Sequence, residues 1–182
     1  MKVALYIAFH NKSSIDCCKE IIDIISKNNQ VVIDLKIKND LNNDAQEKFS
    51  FFDSTKPIED DINFVFAIGG DGTILRSITY VKDSNIPVLG INTGRLGFLT
   101  SIQKENIDEA ISLVNKNKFS IIERSLLEVK SEYLDNAFSD YPFALNEITI
   151  QRKDTTSLLN ISCQINDNYL TNYWSDGLII ST

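Results

Sequence analysis

Residues 62–81 read INFVFAIGGDGTILRSITYV. The first seven are almost wholly apolar, as in a strand covered on both faces. The last nine, TILRSITYV, bring Ile74, Ile78 and Val81 to one side of a helix. Between the two stand Gly69, Gly70 and Gly72. A buried strand that turns through glycines directly into a helix is half of a βαβ unit, and it predicts a parallel sheet. The loop would sit at the carboxyl end of its strand and at the N-terminus of its helix. Open α/β sheets place ligands there, and free helix-end amides there favour anions.

Working outward, the same alternation recurs. VALYIAF (3–9) is a buried strand, followed by a helix with Ile15, Cys18, Ile22 and Ile25 at helical spacing and a capping box from Ser13 to Asp16. VVIDLKI (31–37) is the next strand, and the polar stretch 38–61, broken by Pro57, reads as a loop with at most a short helix. IPVLGINT (86–93) is a fourth strand, and Asn106 with Glu109 would box a helix presenting Ile107, Ala110, Ile111 and Val114. Residues 1–118 are therefore expected to form an α/β domain with a doubly wound, mostly parallel sheet.

After Phe119 the texture changes to strand-like pieces, FSIIERSLLEVKSEYLD, FALNEITIQRK, LLNISCQINDNYLTNYW and GLIIST, without helices between them. Asn-Asp, Leu-Asp-Asn and Ser-Asp-Gly supply turns. Residues 119–182 thus read as the beginning of an all-β domain. The sequence stops at DGLIIST, directly out of an apolar run, so this second domain is expected to be incomplete.

Charge and composition exclude several classes. A formal net charge of −7 argues against a nucleic-acid or anionic-membrane partner. No apolar run approaches the roughly 18 residues that span a bilayer. The N-terminal MKVALYIAF is of strand length and lacks a cleavage site, and the three cysteines show neither metal nor disulfide spacing. Together these read as a cytoplasmic protein. His10 is the only histidine, which disfavours a Ser-His-Asp triad or a histidine metal site. It reads as a strand-end residue, Arg95 as a candidate phosphate clamp, and Tyr173 and Trp174 as packing in the β domain.

The glycines point to the site. Of seven in the chain, six lie between residues 69 and 97, where a missing side chain serves positive φ or close backbone approach. Neither G-x-x-x-x-G-K-[ST] nor G-x-G-x-x-G is present. The loop carries Asp71 instead of lysine. A carboxylate beside phosphate oxygens repels them unless it holds Mg²⁺ on a phosphate chain or accepts a proton from a hydroxyl nucleophile. Either job implies phosphoryl transfer.

GGDGTILR, INTGRLGFL, ERSLLEV, ALNEITI and SDGLIIST, in this order, make the chain resemble the NAD kinase family over essentially its whole length. GGDGT alone is shared with lipid kinases, and GGDG with phosphofructokinases. A lipid kinase does not call for TGRLGFL or the Asn-Glu pair, and a non-catalytic dinucleotide-binding module would tolerate loss of the Asp71 carboxylate. The resemblance implies transfer of the ATP γ-phosphoryl group, with Mg²⁺ or another divalent cation, to the 2′-hydroxyl of the adenosine ribose of NAD. It implies that Asp71 is the catalytic carboxylate, that Gly72 lies against the dinucleotide, and that Arg76 is a cofactor or phosphate contact. It further implies that Asn146 and Glu147 contact ribose and adenine and that Asp176 is another NAD contact. No residue is assigned to a metal. The family continues past DGLIIST into Pro-Thr-Gly-Ser-Thr-Ala-Tyr, so these 182 residues alone are expected to bind NAD weakly and turn over little. The longer protein is expected to be a homodimer or homotetramer.

Overall fold

The computed structural model describes residues 1–95, 97–131, 141–153 and 157–182, which fall into two compact units, Met1–Glu123 and Arg124–Thr182. The first is an α/β unit. Strands β1 (Lys2–Tyr6), β2 (Gln30–Asp34), β3 (Ser50–Phe52), β4 (Phe64–Gly69), β5 (Val88–Asn92) and β6 (Ile102–Gln103) make one sheet in the order β3-β2-β1-β4-β5-β6. Every neighbouring pair is parallel. The strand order reverses direction between β1 and β4, so the carboxyl ends of these two strands flank the topological switch point.

Successive residues of a strand face opposite sides, and both sides here are apolar. Val3, Leu5, Phe66 and Ile68 pack with Ile15, Ile21 and Ile25 of helix α1 (Lys12–Ser26) and with Ile107 and Ile111 of α4 (Ile107–Asn115). Ala4, Tyr6, Val65 and Ala67 pack with Tyr80 and Val81 of α3 (Asp71–Val81) on the other side. Helices on both faces make the sheet doubly wound, and explain why the strands read as continuous apolar runs rather than alternating ones.

Local details differ from the sequence reading. The sequence reading has neither β3 nor the two-residue β6, while the short helix it allows within 38–61 is present as α2 (Asn43–Lys48), just before β3. The 31–37 run stops as a strand at Asp34, whose side chain accepts from the Lys36 amide and turns the chain into a 3-10 turn, Leu35–Asp40. The capping boxes are corrected as well. Asn11, not Ser13, caps α1 by accepting from the Ser14 amide at 3.0 Å, while the Ser13 hydroxyl donates to the Thr93 carbonyl at 2.8 Å. Asn106 makes no side-chain cap, because α4 follows directly from a 3-10 turn, Lys104–Asn106. The four predicted inward residues of α4 are all buried. Of the three predicted for α3, Val81 is buried and Ile74 and Ile78 are half-buried; the helix turns Thr73, Ser77 and Tyr80 inward.

Asn11→Ala is expected to cost about 1 kcal/mol, the usual worth of an N-cap side chain. Urea unfolding of the variant checks this, and an unchanged midpoint would contradict the cap assignment.

The second unit is built of antiparallel pairs: β7 (Leu126–Glu128) with β8 (Phe143–Leu145), β9 (Glu147–Gln151) with β12 (Gly177–Ser181), and β10 (Leu159–Ile165) with β11 (Asn168–Ser175). The Asn-Asp turn joins β10 to β11 with both residues at positive φ, 49° at Asn166 and 64° at Asp167, the pairing that a two-residue hairpin demands. The Leu-Asp-Asn turn expected at 134–136 lies outside the described residues. Tyr173 and Trp174 do not pack inside this unit as expected: both are exposed, Trp174 by 68%.

Candidate functional site

β4 delivers the glycine loop to the switch point. Gly69 has φ +154°, and a Cβ there would stand 2.1 Å from the Oγ1 of buried Thr73, so no side chain fits where the strand meets the helix. Gly70 caps α3 through its backbone alone, its carbonyl accepting from the Thr73 amide at 2.9 Å. Gly72 is exposed, and a Cβ there would only touch the Phe9 ring at 3.5 Å. Its glycine is therefore not demanded by packing in the free chain. Arg76, one helical turn on and exposed, lays its guanidinium over the same Phe9 ring, 4.6 Å from the centroid. Phe9, Gly72 and Arg76 thus form one continuous surface at the carboxyl end of β1 and the start of α3.

Asp71 does something the sequence reading did not anticipate. Its Oδ2 accepts from the Phe98 amide at 2.7 Å, and its Oδ1 accepts from the amides of Leu99 at 2.9 Å and Thr100 at 3.1 Å. The Thr100 hydroxyl donates to Oδ1 as well, at 3.4 Å. The loop after β5 comes this close because Gly97 lacks a side chain: a Cβ there would stand 2.1 Å from Asp71 Oδ1. Desolvation, the largest single influence, pushes the Asp71 carboxyl up, but the amides of Phe98, Leu99 and Thr100 and the Thr100 hydroxyl together outweigh it and hold it below its ordinary value.

This sets a pH dependence. A carboxyl whose folded value is lowered adds stability above its unfolded value, and loses it as pH falls through the folded one. The stability gap between the parent chain and Asp71→Asn is therefore expected to be full at neutral pH and to shrink as pH drops below the ordinary aspartate value of 3.8. Urea unfolding at several pH values checks this; a gap that widens on acidification would contradict it.

The other sequence candidates of this unit are exposed or engaged locally. Arg95 is exposed, and its carbonyl is held by the Asn92 side chain at 2.8 Å. His10 lies just past β1 and hydrogen-bonds Asp40 at 2.8 Å. The sequence reading also missed Asp34 and Lys36 at the carboxyl end of β2. Asp34 is buried, and burial pushes its carboxyl up against the opposing pull of the Lys36 amide and ammonium. Lys36 Nζ donates to the Ile7 carbonyl at 3.2 Å and to Ser54 Oγ at 2.8 Å, and stands 3.5 Å from Asp34. The signal for it was available: a lone carboxylate at the end of an apolar strand, with lysine two residues on.

In the second unit Asn146 precedes β9 and Glu147 opens it. Asn146 has φ 82°, its carbonyl accepts from the Thr182 amide at 3.0 Å, and its side-chain amide donates to the Glu147 carboxylate. Both side chains are exposed. Asp176 lies elsewhere. Glu147 pairs with Ser181 and Gln151 with Gly177, so the β9–β12 ribbon puts Asp176 at its opposite end, roughly 15 Å away by strand rise. There Asp176 accepts from the Arg152 guanidinium at 3.0 Å. The ribbon brings Asn146 and Glu147 together and does not bring Asp176 to them.

No group of three His, Cys, Asp or Glu side chains that could hold a metal occurs among the described residues. Asp71, the carboxylate of the glycine loop, already accepts four donors. Among the described residues the side chains therefore do not make a Mg²⁺ site of their own, while Asp71 Oδ2, with one donor, keeps an acceptor position free.

Residues 5–119 match the family described as the ATP-NAD kinase N-terminal domain. Over its full length the chain is similar to the NAD kinases of Flavobacterium johnsoniae, at 39% identity, and Flavobacterium psychrophilum, at 42%, covering 63% of each. The chain thus spans just under two thirds of the length of these curated relatives. Among solved structures, 98% of the chain superimposes on 56% of yeast NADH kinase complexed with NADH, with a TM-score of 0.68 and 17% identity. All of it superimposes on 60% of an NAD kinase from Archaeoglobus fulgidus in complex with ATP, with a TM-score of 0.65 and 22% identity. At these identities the two structures speak for the fold.

Proposed function

The chain belongs to the NAD kinase family, and on that premise we propose that it is the glycine-loop part of a phosphotransferase acting on a ribose hydroxyl. The reaction moves the γ-phosphoryl group of ATP onto the 2′-hydroxyl of the adenosine ribose of NAD, giving NADP and ADP. The observation that carries this reading is the position of Asp71, a carboxylate held ionised at the first turn of α3, beside the switch point of the sheet.

The chemistry follows from that placement. A neutral hydroxyl is a poor nucleophile, and a fixed carboxylate that accepts its hydrogen aims the oxygen lone pair at phosphorus. The Asp71 carboxyl, held below its ordinary value, is ionised across the neutral range and acts as an orienting acceptor more than as a strong base. As the oxygen–phosphorus bond forms, the hydroxyl proton passes toward Asp71 while ADP departs with the electrons of the broken bond. The negative charge of the phosphates is to be met by Arg76, by loop amides and by a divalent cation carried with the nucleotide. Gly72 lies open where the dinucleotide backbone would rest. Asn146 and Glu147 supply donor and acceptor groups for ribose and adenine, and Asp176 makes a further NAD contact. The enzyme acts as a cytoplasmic homodimer or homotetramer.

A coupled assay on a protein extended to the length of the relatives tests this. NADP is expected only when NAD, ATP and Mg²⁺ are all present; its absence under those conditions would overturn the proposal.

A further inference from the structure

Asn92 closes β5 and is 3% exposed. Its whole side chain serves the loop that follows. Oδ1 accepts from the Gly94 amide at 2.7 Å, and Nδ2 donates to the Arg95 carbonyl at 2.8 Å and to Thr100 Oγ1 at 2.7 Å. Thr100, itself buried, accepts that bond and so turns its one hydroxyl proton toward Asp71 Oδ1. The same loop presents the amides of Phe98, Leu99 and Thr100 to the carboxylate, at the close approach Gly97 permits.

The distribution of these bonds is uneven. A carboxylate has about four acceptor positions, two on each oxygen. Oδ1 takes three donors and Oδ2 takes one. Oδ1 is saturated, and the open lone pair belongs to Oδ2.

We infer that Asn92 is a positioning residue, acting through Thr100 and the 97–100 backbone to saturate Asp71 Oδ1 and leave Oδ2 as the oxygen that receives a ligand hydroxyl. The part concerning the ligand rests on the kinase reading; the part concerning Asp71 does not. Asn92→Ala removes both Nδ2 bonds and the Oδ1 bond to Gly94 without adding charge, Thr100→Val removes the hydroxyl link alone, and Thr100→Ser keeps it.

The test is made first on the free chain, by carbon-detected titration of the Asp71 carboxyl together with hydrogen exchange of the three loop amides. Asn92→Ala and Thr100→Val are expected to move the Asp71 midpoint upward and to speed exchange at residues 98–100 by about tenfold. Thr100→Ser should retain the parent values, and the double variant Asn92→Ala/Thr100→Val should shift less than the sum of the two. A midpoint that stays put while overall stability falls would reduce Asn92 to packing and overturn the inference. Should Asn92→Ala fail to fold, the Val and Ser variants at Thr100 decide by the same readouts. Turnover in the extended protein is then the separate arm. There Asn92→Ala is expected to lower kcat with little change in the NAD KM. A shifted Asp71 midpoint with unchanged kcat would uphold the positioning of Asp71 and overturn the part of the inference that ties it to the ligand hydroxyl.

Discussion

Asp71→Asn, in a protein extended to the length of its relatives, is expected to lower NADP formation by about 10²- to 10⁴-fold, the usual contribution of a positioned proton acceptor. NAD binding should change little, because the substitution is isosteric and leaves Gly72, Arg76, Asn146 and Glu147 in place. The amide that replaces the carboxylate keeps one oxygen, which can still accept from Leu99 and Thr100. Its nitrogen would then face the Phe98 amide, donor against donor, at the position where Oδ2 now accepts at 2.7 Å. The acceptor proposed for the ribose hydroxyl is lost together with that bond. Steady-state kinetics separate the two effects: a fall in kcat at constant KM supports the role of Asp71, and unchanged turnover removes it.

Phe66→Ala is expected to destabilise the first unit by about 3–5 kcal/mol, the range for deleting a buried aromatic ring. Phe66 lies in the middle of β4, between β1 and β5, and is 1% exposed. Its ring meets Phe64 edge-on at 6.3 Å, and Phe64 in turn meets Phe119 at 5.3 Å. Truncation would leave a void among isoleucines of a central strand, α1 and α4, where little can move to fill it. Set against a typical domain stability of about 5–15 kcal/mol, that loss brings the unit close to unfolding at ordinary temperature. Urea denaturation measures it. A cost below about 1 kcal/mol would mean that the site collapses freely and that β4 is not the rigid base of the glycine loop.

Much of the first unit was legible from apolar runs and glycines. Strands β1, β2, β4 and β5 are buried on both faces, so their runs are unbroken, and the inward residues of α4 follow from spacing alone. The elements that escaped are the ones whose causes lie elsewhere in the chain. β3 is three residues long and joins the sheet only through its pairing with β2. Ser13 looked like a cap because its rival use, the Thr93 carbonyl, lies 80 residues away.

The same holds at the site. The glycine loop and Asp71 could be picked out locally, and so could a phosphate-handling chemistry. What holds the carboxylate could not, because its donors come from 27 to 29 residues further on. The opposite placement of Glu147 and Asp176 likewise depends on strand register, which motif spacing does not reveal. Asn92 stands in the sequence only as part of a motif; its role comes from three hydrogen bonds to the loop it precedes.

The central claim is that this fold serves transfer of a phosphoryl group to the adenosine ribose. Its most direct test is phosphorus NMR of the products formed from NAD, ATP and Mg²⁺ by the protein extended to the length of its relatives. The expected result is a new phosphomonoester on the 2′-oxygen of the adenosine ribose, formed in step with ADP and abolished in Asp71→Asn. ATP hydrolysis without a ribose phosphate, or a 2′-phosphate formed equally well by Asp71→Asn, would contradict it.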